Sequence, residues 1–98
     1  MVVGVAVFRI HIHQAFSLKQ KRQVLKSVLG KVRAKFDISI AEVGDNDKWQ
    51  SSSIAVSVVS NDAGHAHSML ETVHRFVEDL QLVEIASFTT ELIQFGNV

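Results

Sequence analysis

A stretch of twenty residues, 17–36, constrains the fold of this chain more than any other segment. Its leucines and valines recur every three or four residues, which is the spacing of an amphipathic helix with one buried face. Ser17 is followed three residues later by Gln20, and this pattern is typical of a capping box at the start of a helix. The stretch is therefore predicted to form a single helix.

The predicted helix also concentrates positive charge. It contains seven of the ten Lys and Arg residues and no Asp or Glu, although the whole chain is formally neutral. At about 100° per residue, these cations fall along the two flanks of the apolar face. One flank holds Lys19, Arg22, Lys26 and Arg33, and the other holds Lys21, Lys31 and Lys35. A neutral composition thus conceals a basic surface.

Two interpretations of these cations are open. Charged flanks commonly cover a helical core with their aliphatic stems. However, the first turns of a helix disfavour cations by about 0.3–1 kcal/mol each, and the free N–H groups there suit an anion such as phosphate. Gly30 indicates either close helix packing or the close approach of a ligand. The candidates for nucleic-acid binding are Lys19, Lys21, Arg22, Lys26 and Arg33.

Residues 2–13 alternate in the manner of a β-strand. The even positions are mostly apolar, whereas the odd positions are apolar at Val3, Val5 and Val7 and polar or basic from Arg9 onward. If helices cover only one side of the sheet, the three valines face water unless a second subunit covers them. We therefore predict a homo-oligomer with these valines in its interface.

Four further elements follow the basic helix. They are a strand over 37–43, a strand over 53–59, a helix over Ala63–Leu80 and a strand over 83–95. The order strand, helix, strand, strand, helix, strand predicts an α+β protein with the ferredoxin-like split βαβ fold, in which two helices cover one face of a four-stranded antiparallel sheet. Residues 1–98 contain no proline and no low-complexity run, so a single domain is expected.

The composition and the first residues of the chain limit the compartments in which the protein is expected. The absence of cysteine excludes disulfides and zinc-thiolate sites and is compatible with a reducing compartment. The apolar start has no basic residue before Arg9, and it is too short for a membrane span. A cytoplasmic protein without a membrane partner is expected.

Few residues suggest a reaction centre. His11 and His13 share one face of the first strand, but two ligands make only a weak metal candidate because zinc sites use three or four. Asp45, Asn46 and Asp47 lack the glycine and the terminal Glu of a calcium loop. No nucleophile motif is present either. We expect a non-enzymatic protein without a cofactor.

RNA binding through the sheet is not expected. RNA-recognition sheets stack bases on aromatic residues of their central strands, whereas the first strand offers Val, Arg and His outward and residues 53–59 include no aromatic. Phosphate contacts through the basic helix are expected instead, with strong salt dependence. Trp49, the only tryptophan, is either at the edge of the core or an anchor for a base or a partner protein.

The chain resembles the YlxP-like family of small bacterial proteins. The similarity lies in SLKQKRQVLKSVLGKVRAKF, ISIAEV, the DKWQ stretch and VSVVSNDA, and it runs in register over nearly the whole chain. The resemblance implies a ferredoxin-like fold, a cytoplasmic bacterial location and no catalytic motif. Genes of this family often lie beside those for transcription and translation factors, which implies a link to RNA or to ribosome assembly. The basic positions of the family match Lys19, Lys21, Arg22 and Lys26.

The chain departs from the family just before the helix. Where the family commonly has a basic residue, proline and glycine, this chain has His11, His13 and Gln14. A shared role for this turn does not follow from the resemblance.

Two functional hypotheses follow. In the first, the protein is a non-enzymatic binding module that docks on RNA or a ribosomal particle through the basic helix. In the second, it is a homo-oligomeric interaction or regulatory protein whose basic helix packs against the acidic surface of a neighbouring subunit, with no nucleic acid involved. RNA binding and subunit number distinguish the two hypotheses.

Overall fold

The computed structural model describes residues 1–96 and confirms the predicted ferredoxin-like fold. The strands form one antiparallel sheet in the order β2-β3-β1-β4, and both helices contribute to one core on a single face of it. The elements are β1 (Val2–His11), α1 (Leu18–Lys35), β2 (Ser39–Gly44), β3 (Ser51–Ser60), α2 (Ala63–Leu80) and β4 (Glu84–Gln94).

The two faces of the sheet differ in burial. Along β1, the residues that point toward the helices are buried, whereas Val3, Val5 and Val7 on the other face are only half-buried. In the strand register, Val3 lies opposite Val59 of β3 and Ile93 of β4. These two partners are 65% and 40% exposed. An apolar row therefore crosses the face that the helices leave uncovered, which we call the open face.

The start of α1 is fixed by two side-chain bonds. Ser17 is the N-cap, and its Oγ accepts a hydrogen bond from the Gln20 backbone N–H at 3.1 Å. The Gln20 Oε1 accepts from the Phe16 N–H at 2.6 Å, one residue before the N–H that a capping box uses. Together they set the direction in which the chain enters the helix.

Strand β1 is two residues shorter than the alternation predicts. Its pairing ends at His11, although the polar and apolar residues continue to alternate up to His13. The Ile12 N–H donates instead to the Gln50 carbonyl oxygen at 2.9 Å, and the Ala15 N–H donates to the Ile12 carbonyl oxygen at 3.1 Å. Ile12 and Ala15 are both buried. The turn before α1 is therefore part of the core.

Candidate nucleic-acid interface

Four cations line one exposed flank of α1, and we call Lys19, Arg22, Lys26 and Arg33 the basic stripe. Within residues 1–96, no carboxylate oxygen lies within 4 Å of their side-chain nitrogens. Arg33 Nη2 donates to the Ile40 carbonyl oxygen at 2.7 Å, which fixes one end of the stripe against β2. At about 1.5 Å per residue, the stripe is about 21 Å long. Its four cations follow one another at spacings of three, four and seven residues.

Lys21 belongs to the core and not to the predicted nucleic-acid surface. Its side chain is 1% exposed. The Nζ donates to the Asp45 carbonyl oxygen and lies 3.1 Å from Glu42 Oε2, and the Ser52 hydroxyl donates to the same Glu42 oxygen at 2.6 Å. The prediction for Lys21 is therefore corrected, because Glu42 already neutralises its charge inside the protein.

The spacing of Lys21 indicated this position. Lys21 lies four residues before Leu25 and seven before Val28, which places it on the same face of the helix as these two residues. The structure buries these three residues together with Val32. The sequence-based assignment to a flank gave the charge of the residue more weight than its position.

Asp45 anchors the loop of residues 45–50 between β2 and β3. Arg9 Nη2 and the Ser51 hydroxyl each donate to Asp45 Oδ2 at 3.2 Å, and Lys48 Nζ lies 3.4 Å from Oδ1. Desolvation raises the pKa of Asp45, but the Lys48 charge, the Ser51 hydrogen bond and the Arg9 charge outweigh it, so the pKa lies below its ordinary value. The carboxylate is ionised at neutral pH and holds both ends of the loop.

Two large aromatic rings are exposed close to the start of α1. The Gln50 Nε2 donates to the Ala15 carbonyl oxygen at 3.0 Å, which joins loop 45–50 to the turn before the helix. Trp49 precedes Gln50 and is 55% exposed, and Phe16 follows Ala15 and is 69% exposed. Trp49 is not among the residues packed against the core within residues 1–96. The exposure of Trp49 argues against the core-edge interpretation, and the anchor interpretation stays a prediction.

Gly30 lies on the exposed surface beside the basic stripe, four residues after Lys26 and three before Arg33. Apart from its two chain neighbours and the nearby backbone of the helix itself, a Cβ at this position would meet no atom within 4 Å in the part of the chain that the structure describes. The close helix packing suggested by the sequence is therefore absent at this point of residues 1–96. The backbone of α1 is open to approach from outside at this point.

The second flank of the helix is engaged within the protein. Lys31 Nζ donates to the Ser27 hydroxyl at 3.0 Å, and Lys35 Nζ lies 4.8 Å from the centroid of the Phe76 ring. The two flanks thus differ in their contacts: both cations of the second flank contact other side chains, whereas among residues 1–96 Arg33 is the stripe cation with a hydrogen bond, and its acceptor is a backbone oxygen. The cations of the basic stripe are exposed and have no carboxylate partner within residues 1–96.

His11 and His13 come together with Glu84. The two rings stack with their centroids 6.0 Å apart, and His13 Nε2 lies 2.6 Å from Glu84 Oε2. The hydrogen bond and the charge of His13 lower the pKa of Glu84 below its ordinary value. Within residues 1–96, no group of three or more His, Cys, Asp or Glu residues is arranged to hold a metal ion. The arrangement is that of an exposed hydrogen bond between His13 and Glu84.

Within residues 1–96, neither α1 nor α2 has the combination of length and apolar character that crossing a membrane requires.

Comparison with known proteins identifies similar chains. The model of the family described as "Protein of unknown function (DUF503)" matches residues 3–90. A relative from Bacillus subtilis (strain 168), the uncharacterized protein YlxP, is 36% identical over 90 residues, which cover 92% of this chain and 98% of the relative. A de novo designed protein with a ferredoxin fold, solved by NMR in solution, aligns with 100% of this chain over 90% of the designed chain, with a TM-score of 0.55. At 15% identity, this last likeness concerns the fold alone.

Proposed function

Since this chain belongs to the family described as Protein of unknown function (DUF503), its family supplies no activity, and we propose that it is a non-enzymatic binding module of the bacterial cytoplasm. In this proposal the module docks on RNA, either free or within ribosomal particles. The basic stripe makes the contact, and the phosphate groups of the RNA are what it recognises.

The observation that carries the proposal is a line of like charges that have no carboxylate partner inside the described protein. Lys19 and Arg22 are three residues apart, and Arg22 and Lys26 are four residues apart. Like charges at these spacings repel by about 0.2–0.5 kcal/mol per pair. If only stability mattered, acidic residues would alternate with these cations, because opposite charges three or four residues apart stabilise a helix. A polyanion removes the repulsion and gains free energy from released counterions.

The open face of the sheet supports a phosphate contact rather than base reading. Along its central strands, β1 and β3, this face carries Val, Ala, Ser, Arg and His side chains, and no Phe, Tyr or Trp within the described residues. RNA-recognition sheets need aromatic rings at such positions to stack bases. Binding through the stripe is thus proposed to have little sequence preference.

The proposal is tested by measuring RNA affinity against salt concentration. Four phosphate contacts predict that log K falls with log[salt] with a slope of about −3 for a single strand. Arg22→Glu combined with Lys26→Glu should weaken binding at least tenfold at low salt, because two attractive contacts become repulsive. Fluorescence anisotropy of a labelled RNA measures the affinity, and copurification with ribosomal particles across a salt gradient extends the test to the cell.

A matched control uses the other flank of the same helix. Lys31→Glu combined with Lys35→Glu changes the net charge by the same amount but lies outside the stripe. This control should weaken binding only about twofold to threefold, through the long-range field. Equal losses in the two double variants would show that net charge, and not the stripe, determines the affinity.

A second candidate function is self-association, and the apolar row on the open face favours it. Val3, Val59 and Ile93 lie side by side across three strands, and contiguous exposed apolar surface commonly marks an interface. In this alternative, Val3, Val5 and Val7 meet a second copy, and the basic helix packs against an acidic surface of a neighbouring subunit. The mass of the free protein distinguishes the two candidate functions. If two copies associate through the open face, Val59→Glu should halve this mass, and adding RNA should not change it.

A further inference from the structure

An open depression lies beside Trp49 at the end of the molecule where α1 begins. It has a volume of about 550 Å³. The residues that line it are His11, Asp47, Lys48, Trp49, Gln50 and Ser51. The depression thus combines one large ring with donors, a cation and a carboxylate, and nothing in the proposed role of the basic stripe uses it.

The Trp49 ring is more than half exposed and takes part in no aromatic pair within residues 1–96. The ring pairs among residues 1–96 involve Phe8, Phe36, Phe76, Phe88 and three histidines, and neither Trp49 nor Phe16 is among them. Tryptophan is usually well buried, because its large surface gains most from leaving water. An exposed tryptophan beside a depression therefore indicates a surface that another molecule covers.

The loop that carries Trp49 is held rigidly on both sides. Asp45 is bound by Arg9 and Ser51 before the ring. After the ring, Gln50 uses its backbone carbonyl to accept from Ile12 and its side-chain amide to donate to Ala15. A ring carried on a backbone that is held at both ends needs less ordering when it stacks on a planar group.

We propose that Trp49 and the depression beside it bind an unpaired base of single-stranded RNA. This inference rests on the proposed function, because the basic stripe, which begins with Lys19 and Arg22 in the first turns of α1, supplies the phosphate contacts that bring the strand to the ring. Lys48 and His11 offer donors to the flanking phosphates. Asp47 repels phosphate and accepts hydrogen bonds from base amino groups, so the base and not the backbone enters the depression. Stacking on aromatic rings is typical of proteins that bind single strands.

The single tryptophan makes the inference directly measurable. A twelve-nucleotide single-stranded RNA of mixed sequence should quench Trp49 fluorescence on binding, and the same sequence as a duplex should not, because its bases are already paired. Trp49→Ala should weaken single-strand binding roughly tenfold and leave duplex binding unchanged. Trp49→Phe keeps a ring and should stay within about threefold of the original affinity. Labelled RNA reports the affinities of both variants, and thermal melting confirms that they fold.

The outcomes separate this inference from the proposed function. If single strands bind with the predicted salt dependence but leave Trp49 fluorescence unchanged, and Trp49→Ala binds as well as the original, the stacking site is wrong and the basic stripe stands. Equal losses for single strand and duplex in Trp49→Ala also overturn the stacking site. If neither RNA binds at low salt, both proposals fail, and the exposed ring belongs to a protein contact.

Discussion

Lys21 and Lys26 stand on the same helix, yet they are placed in opposite surroundings. Lys21 is buried against Glu42 and the Asp45 carbonyl oxygen, whereas Lys26 is exposed in the basic stripe without a carboxylate partner among residues 1–96. The difference teaches that the charge of a helical residue does not decide its role. The face on which it falls decides whether the charge holds the fold together or remains for a ligand.

The largest expected effect comes from removing the buried cation. Lys21→Met should destabilise the protein by about 3 kcal/mol, because Glu42 is left without its counter-charge in a poorly hydrated site. The matched variant Lys26→Met, on the stripe, should change stability by no more than about 0.5 kcal/mol. Urea unfolding followed by circular dichroism measures both.

The two lysine variants should show the reverse order in RNA binding. Under conditions where Lys21→Met remains folded, its affinity for duplex RNA, which does not use Trp49, should equal that of the original protein, whereas Lys26→Met should bind the duplex several-fold more weakly. If the two variants lose equal amounts of stability, the comparison between buried and exposed cations is wrong.

A smaller effect of opposite sign is expected at Gly30. Gly30→Ala should stabilise the protein by up to about 1 kcal/mol, because alanine favours the helix and the new methyl group meets nothing nearby. Gly4→Ala is the buried counterpart: its Cβ would lie 3.1 Å from Leu70 Cδ1 and Val58 Cγ1, and it should destabilise. Melting temperatures compare the two. A destabilised Gly30→Ala would contradict the exposed position of this residue.

The smallest expected effect is the loosening of loop 45–50 at acid pH. The pKa of Asp45 lies below its ordinary value in the folded protein, so its contribution to stability is complete at neutral pH and is lost as the pH falls below about 4, through the folded pKa. Loop 45–50 should loosen in this range, and Trp49 fluorescence should change before the helical signal in circular dichroism.

Asp45→Asn provides the control for the acid titration. This variant lacks the titrating group, so its Trp49 fluorescence should already resemble the acid form at neutral pH and should show a smaller change on acidification. The basic stripe contains no carboxyl group, so the surface that it forms should remain unchanged in this titration. A fluorescence transition of the same size in Asp45→Asn would assign the effect to another carboxyl group.

The regular elements were predicted well from the sequence, and the positions that depend on long-range contacts were not. Helix α2 occupies the predicted residues Ala63–Leu80, because its periodic apolar face and its N-cap Asp62, which accepts from the His65 N–H at 2.9 Å, agree on where it begins. The end of β1 was predicted two residues too late. The strand ends earlier because the Ile12 N–H donates to the carbonyl oxygen of Gln50, a residue far away in the sequence.

The candidate site was predicted only in part for the same reason. The four residues of the basic stripe were selected by charge and helical rotation, which are local properties. The partner of Lys21 is Glu42 on another element, and the exposure of Trp49 depends on where loop 45–50 docks against the turn before α1. Local patterns specify which face a residue occupies, but not which distant segment meets it.

The bond from Lys21 to the Asp45 carbonyl oxygen has a consequence for the energetics of association. One helix displays the stripe and, through this buried lysine, also holds the loop that carries Trp49. The two regions that are proposed to contact RNA are therefore tied to the same helix. A strand that touches both gains the second contact at a high effective concentration, as if the two had been joined by a short stiff tether. Binding at one region can therefore favour binding at the other without a conformational change in the protein.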